Sequence, residues 1–81
     1  MYKHSFSVRF QKQYQKLDPH IKELVKKKIA KIMENPLSGK PLHTPLQNLF
    51  SERIEKLRIV YSVQNDIVGF EWIEHRNHVY H

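Results

Sequence analysis

The sequence predicts an α+β fold, a small twisted antiparallel sheet with an N-terminal two-helix hairpin packed on one face. Three observations lead there. Ile21, Leu24, Val25, Ile29, Ile32 and Met33 recur at the spacing of one helix face. Leu57, Ile59, Tyr61 and Val63 alternate with Arg58, Val60 and Ser62, and after Gln64-Asn65-Asp66 the alternation resumes with Val68, Phe70 and Trp72 against Gly69, Glu71 and Ile73. One face of that strand pair is wholly apolar, which is what a helical hairpin needs beneath it. At 81 residues the chain reads as a single domain, 1–81, with a modest core.

Taken in order, Tyr2-Lys3-His4-Ser5-Phe6 alternates bulky and polar side chains as a half-buried strand does. Ser7 is placed to cap a helix from Val8 to Leu17, whose Phe10, Tyr14 and Leu17 share a face. Asp18-Pro19 restarts a helix, a capping carboxylate followed by a proline whose missing N–H is harmless in the first turn. That second helix ends near Asn35-Pro36. Residues 36–49, with Gly39, Pro41 and Pro45, read as an irregular crossing and Gly39-Lys40 as a turn. A two-residue turn at Asn65-Asp66, where asparagine tolerates positive φ, pairs Tyr61 with Phe70, Val63 with Val68 and Ile59 with Trp72. This register puts Phe70 and Trp72 in the core. It sets Arg58 opposite Ile73, with Glu71 and His75 as diagonal neighbours on the other face. A second tight turn at Glu55-Lys56 brings Arg53 directly opposite Arg58.

The formal charge is +6 and unevenly placed: residues 1–40 carry ten Lys/Arg against three Asp/Glu, and residues 41–81 carry four against five. A basic half suits a polyanion, and a near-neutral half holds the selective residues. Lys22, Lys26, Lys27, Lys28 and Lys31 fall on or beside the polar side of the second helix, as a solvated face or as a docking surface. Without cysteine there is no disulfide framework and no thiolate metal site, in keeping with a reducing compartment. No stretch approaches the roughly 20 apolar residues of a membrane span and no signal-peptide core is present, so a cytoplasmic protein is expected.

Positive charge is met by lysine almost throughout; Arg9, Arg53, Arg58 and Arg76 are the exceptions. The planar fork of arginine matches phosphate oxygens, whereas lysine suits a solvated surface. Like charges directly opposite in a sheet repel, so an Arg53–Arg58 pair implies an anion that offsets the repulsion. Arg76 and Tyr80 follow the last strand, where a returning tail would join them to the pair. Such a group holds the parts for RNA cleavage: attack by a ribose 2′-hydroxyl needs a base, a cation beside the developing phosphate charge, and an acid for the leaving 5′ oxygen. Tyr80 starts from a pKa of about 10 and needs neighbouring cations to serve as a base, while His75, His78 and His81 start closer to neutrality. Plainer roles stand beside these: Arg58 in a surface salt bridge with Glu71, and Tyr80 as a packed terminal aromatic. His75-x-x-His78-x-x-His81 lacks the carboxylate or thiolate partners of a metal site, and neither metal nor cofactor is expected.

The stretch Leu49-Phe50-Ser51-x-Arg53-Ile54-x-x-Leu57-Arg58-Ile59-Val60-Tyr61-x-Val63, followed by Ile73-x-His75-Arg76-x-x-Val79-Tyr80, resembles the RelE/ParE toxin superfamily, in particular RelE- and YoeB-like messenger-RNA interferases. Phe6-Ser7, Leu17-Asp18, Asn35-Pro36 and Gly39-Lys40-Pro41-Leu42 extend the likeness over nearly the whole chain. The resemblance implies a type II toxin, a ribosome-dependent endoribonuclease that cuts translated messenger and is held inactive by a cognate antitoxin. By that likeness Arg58 stabilises the phosphate's developing charge, Arg76 assists the leaving oxygen, and Tyr80 acts as base or orients the nucleophile. Arg53 holds the substrate backbone with Lys56 beside it, and Lys26, Lys27, Lys28 and Lys31 contact ribosomal RNA.

The chain departs from the pattern in two places. The Arg53–Arg58 connection is short, and a lysine found in some relatives before this hairpin is replaced by Ser51 or Glu52. His75 and His81 are candidates to make up for the thinner basic set, so the proton acceptor stays open among Tyr80, His75 and His81. Two alternatives share the fold without the chemistry: a ParE-like toxin that inhibits DNA gyrase, and a catalytically inactive RNA-binding relative.

Overall fold

The computed structural model describes residues 1–42 and 48–75, and within them each helix starts at the side chain able to cap it. Ser7 Oγ accepts the Phe10 amide at 2.9 Å and opens α1 (Val8–Gln15), while Asp18 Oδ1 accepts the Ile21 amide at 2.9 Å and opens α2 (Pro19–Glu34). A turn of 3-10 helix, Pro36–Ser38, follows. The strands are β1 (Lys3–Phe6), β2 (Lys40–Pro41), β3 (Leu49–Ile54), β4 (Leu57–Gln64) and β5 (Ile67–His75), ordered β1-β5-β4-β3-β2 in one sheet. β3, β4 and β5 form an antiparallel meander, but β1 lies parallel to β5, so the sheet is mixed rather than wholly antiparallel. The helical hairpin carries the chain from β1 across to the far edge, and the meander then returns with β5 running in the direction of β1. The segment expected as an irregular crossing contains, in its described part, both the 3-10 turn and β2; residues 43–47 lie outside the described residues.

Phe10 of α1 and Val25 and Ile32 of α2 pack on Ile54, Leu57, Ile59, Tyr61, Val68, Phe70 and Ile73. Phe70 sits at the centre, its ring 5.2 Å from Phe6, 5.7 Å from Phe10 and 6.0 Å from Tyr61. No helix among the described residues is long and apolar enough to cross a membrane.

The register of β4 on β5 slips once. Tyr61 faces Phe70 and Val63 faces Val68, as the turn at Asn65 (φ 57°) predicts, but Val60 faces Trp72 and Ile59 faces Ile73. Glu71 is the extra residue of a β-bulge, and beyond it every side chain exchanges faces. Trp72 is therefore not in the core and Ile73 is, 5 % exposed. Trp72 shares the face turned from the helices, where its indole donates to Glu74 Oε1 at 2.6 Å and Arg9 lies 5.2 Å from the ring. The residue opposite Arg58 is Glu74, not Ile73.

Ser7 holds the bulge. Its N–H donates to Phe70 O at 3.0 Å and its hydroxyl to Glu71 O at 2.6 Å. β1 ends here, and the exposed edge of β5 beyond it is met by Gln13 of α1. The Gln13 amide donates to Ile73 O and accepts from Ile73 N, both at 2.7 Å, in place of a strand.

Within the core, fully buried Tyr61 donates its hydroxyl to Pro36 O at 2.9 Å. A Cβ on Gly39 would stand 2.0 Å from that hydroxyl, so Gly39→Ala is expected to destabilise the protein by about 1–3 kcal/mol, read as a lower urea midpoint. Burial, and then the charge of Glu52, push the Tyr61 hydroxyl up to about 12, against a hydrogen bond from the Gly39 backbone. The fold thus favours the protonated phenol. Its contribution is whole below the unfolded pKa of about 10 and is lost as pH rises through about 12. Stability measured across that window is expected to fall, and to fall less in Tyr61→Phe.

Candidate functional site

The meander delivers two arginines to one spot. Arg53 of β3 and Arg58 of β4 are direct cross-strand partners across the two-residue turn at Glu55-Lys56. Glu55 takes φ 51° to close that turn, a left-handed conformation that a non-glycine residue adopts at some strain. Ile54 and Leu57, the adjacent pair, are buried at 6 % and 8 % exposure. Alternation along each strand then directs Arg53 and Arg58 to the face turned from the helices.

A cleft of about 240 Å³ on this face is lined by Lys40, Ser51, Glu52, Arg53 and Arg58. Lys40 escaped the sequence reading because Gly39-Lys40 looked like a turn. It stands on β2 directly opposite Ser51. The signal available was the run Gly39-Lys40-Pro41, whose lysine falls at an edge strand too short for a periodic pattern.

Nearby carboxylates are turned to other partners. Glu71, shifted by the bulge, accepts from Ser62 Oγ at 2.9 Å instead of pairing with Arg58. Glu74 accepts from Trp72, and Glu52, on the helix side, meets Lys28 at 3.7 Å. Neither Arg53 nor Arg58 takes part in the ion pairs found among the described residues, which include Lys28–Glu52, Lys26–Glu23 and His20–Glu55.

The other predicted residues are distributed around this cleft. Lys27, Lys28 and Lys31 line a second depression with Arg53, Ile54 and Glu55, so the helix lysines run on from the arginine face. Lys26 does not join them; it pairs with Glu23 at 3.6 Å and borders an apolar groove with Phe6, Phe10, Tyr14 and Ile29. Lys56 and His75 share a cleft of about 690 Å³ with Lys16, Asp18, Arg53 and Glu55 at the end of the sheet. His75 faces Leu57 across the ladder, so the bulge moves it off the Arg58 face where the unslipped register put it. Arg76, Tyr80, His78 and His81 lie outside the described residues.

A family model for the ParE toxin of type II toxin–antitoxin systems matches residues 5–80. The chain belongs to this family. The toxin is also similar to several solved structures of the RelE/ParE superfamily. The toxin–antitoxin complex RelBE2 from Mycobacterium tuberculosis aligns with TM-score 0.81 at 28% identity, over 93% of this chain and 91% of that one. The isolated E. coli RelE toxin gives 0.80 at 22% identity, over 98% and 88%. The archaeal RelE–RelB complex from Pyrococcus horikoshii gives 0.80 at 15% identity, over 96% and 98%. Comparison with curated protein sequences finds no match.

In the toxin without a bound anion, the facing arginines repel. Arg53→Ser is expected to raise stability by about 0.2–1 kcal/mol at low ionic strength, with the gain shrinking as salt screens the pair. Urea unfolding at two salt concentrations checks this, and inorganic phosphate is expected to raise the melting temperature of the wild type more than that of the variant.

Proposed function

We propose that this toxin is a ribosome-dependent endoribonuclease that cuts translated messenger RNA by attack of a ribose 2′-hydroxyl on the adjacent phosphate. The observation that carries the reading is the facing pair Arg53–Arg58, gathered with Lys40 on one cleft and engaged by none of the ion pairs found there. Two guanidinium groups in register hold a phosphate and stabilise charge that develops on it. Arg58 is assigned the developing charge, Arg53 the substrate backbone, and Arg76 the leaving oxygen. The proton acceptor comes from the end of β5 and the residues after it, Tyr80 first, with His75 and His81 as the alternatives. Lys27, Lys28 and Lys31 extend the basic surface from Arg53 along α2, which suits docking on ribosomal RNA; Lys26 and Lys56 flank it.

A cognate antitoxin belongs to the same reading, since the similar M. tuberculosis and P. horikoshii toxins were solved as complexes with antitoxins. A gyrase-directed toxin without catalysis is the second reading, favoured by the ParE family model.

Induction in cells, with messenger ends mapped within minutes, separates the two. Cuts within translated codons are expected from the wild type, reduced at least about a hundredfold by Arg58→Ala, the scale on which a single charge-stabilising donor acts, and strongly reduced by Tyr80→Phe. Growth arrest with intact messengers and damaged DNA defeats the nuclease reading in favour of the gyrase one.

A further inference from the structure

β2 is only two residues long, yet it is held in one register, with Lys40 opposite Ser51 and Pro41 opposite Phe50. The hold comes from beneath. The Tyr61 hydroxyl donates to Pro36 O at 2.9 Å and lies directly against Gly39, so one buried phenol holds the strap at Pro36 and meets it again at its bend. The missing Cβ of Gly39 lets the strap lie directly on that hydroxyl. Lys40, itself exposed, therefore springs from a fixed base.

Ser51 beside it is 4 % exposed and lines the same cleft. Its hydroxyl makes no side-chain hydrogen bond among the described residues. No buried side-chain oxygen or nitrogen among the described residues lacks a partner, so this hydroxyl meets the solvent of the cleft between a lysine and two arginines, where it is open to an oxygen that comes from outside. The short serine also keeps the cleft open, while the charge is supplied by Lys40 from the neighbouring strand. β2 and β4 lie two inter-strand steps apart, about 10 Å. That spacing spreads the cations along a backbone rather than around one phosphate.

We propose that Lys40 and Ser51 form a second anion subsite, holding the RNA phosphate next to the one gripped by Arg53 and Arg58, with Tyr61 as the positioning residue that sets Lys40 in place. The proposal rests on the RNA reading of this face. It assigns the ammonium of Lys40 and the hydroxyl of Ser51 as donors to non-bridging phosphate oxygens.

The test is binding of a short single-stranded RNA to the full chain, followed by fluorescence anisotropy at several salt concentrations. Lys40→Gln is expected to weaken binding about five- to tenfold at low salt and to lower the salt slope by about one. Ser51→Ala is expected to weaken it by about two- to threefold. Lys12→Gln, exposed on α1, leaves both quantities unchanged. Tyr61→Phe, checked for native circular dichroism, weakens binding when Lys40 is present and adds nothing in the Lys40→Gln background, a pattern that general loss of stability does not produce. Wild-type affinity and slope in Lys40→Gln, with affinity lost in Arg58→Gln, overturn the subsite and leave the RNA reading standing. If Arg58→Gln also binds as the wild type does, or the wild type binds no RNA, both readings fall together. Equal losses from Tyr61→Phe in the two backgrounds overturn the positioning role alone.

Discussion

Ser7 is bonded to both carbonyls of the β5 bulge, Phe70 O through its amide and Glu71 O through its hydroxyl, while the same hydroxyl caps α1. Three structural decisions meet in this one residue: where β1 leaves the sheet, where the first helix begins, and where β5 changes register. The last has the widest reach. Because strand side chains alternate, one unpaired residue moves everything beyond it to the opposite face. Ile73 enters the core, Trp72 leaves it, Glu74 comes to stand across from Arg58, and His75 turns to the side of Leu57. The composition of the arginine face is thus set some distance from the arginines.

On that face the charges are sorted as well as collected. Lysines on the helices are partly committed to neighbours, Lys26 to Glu23 and Lys28 to Glu52. Lys40, Arg53 and Arg58 come from three adjacent strands and meet at one cleft. The surrounding carboxylates are engaged by Ser62 and Trp72. A face that keeps its acids occupied leaves its cations to an outside anion, and the repulsion between them is a standing electrostatic demand for one.

Much of this was legible in the sequence, and the parts that were not have identifiable causes. Both caps, the stripe on α2, the turn at Asn65 and the opposition of Arg53 and Arg58 follow from local chemistry, where a single residue or a fixed period decides the outcome. The bulge does not, because it answers to Ser7 and α1, which are remote in sequence. A trace of it was nonetheless present: strict alternation leaves Ile73 next to Trp72 with both demanding burial, and a slip of one residue relieves the conflict. Lys40 was missed for a different reason. Its strand exists because β3 and the buried Tyr61 hold it there, and two residues carry no period.

The pairing of β1 has a consequence for how the protein is made. Among the described residues β5 is the one strand beside β1 in the sheet, and Lys3 takes its register from Ile67. The β3–β4–β5 meander is joined by two-residue turns and can form locally, but β1 waits for β5 to be synthesised. Ser7 and Gln13 wait with it, since their partners are Phe70, Glu71 and Ile73. A ribosome emitting this chain therefore holds an open, unfinished sheet until β5 has been made. Completion of the sheet is deferred until β5 is free to take its place beside β1.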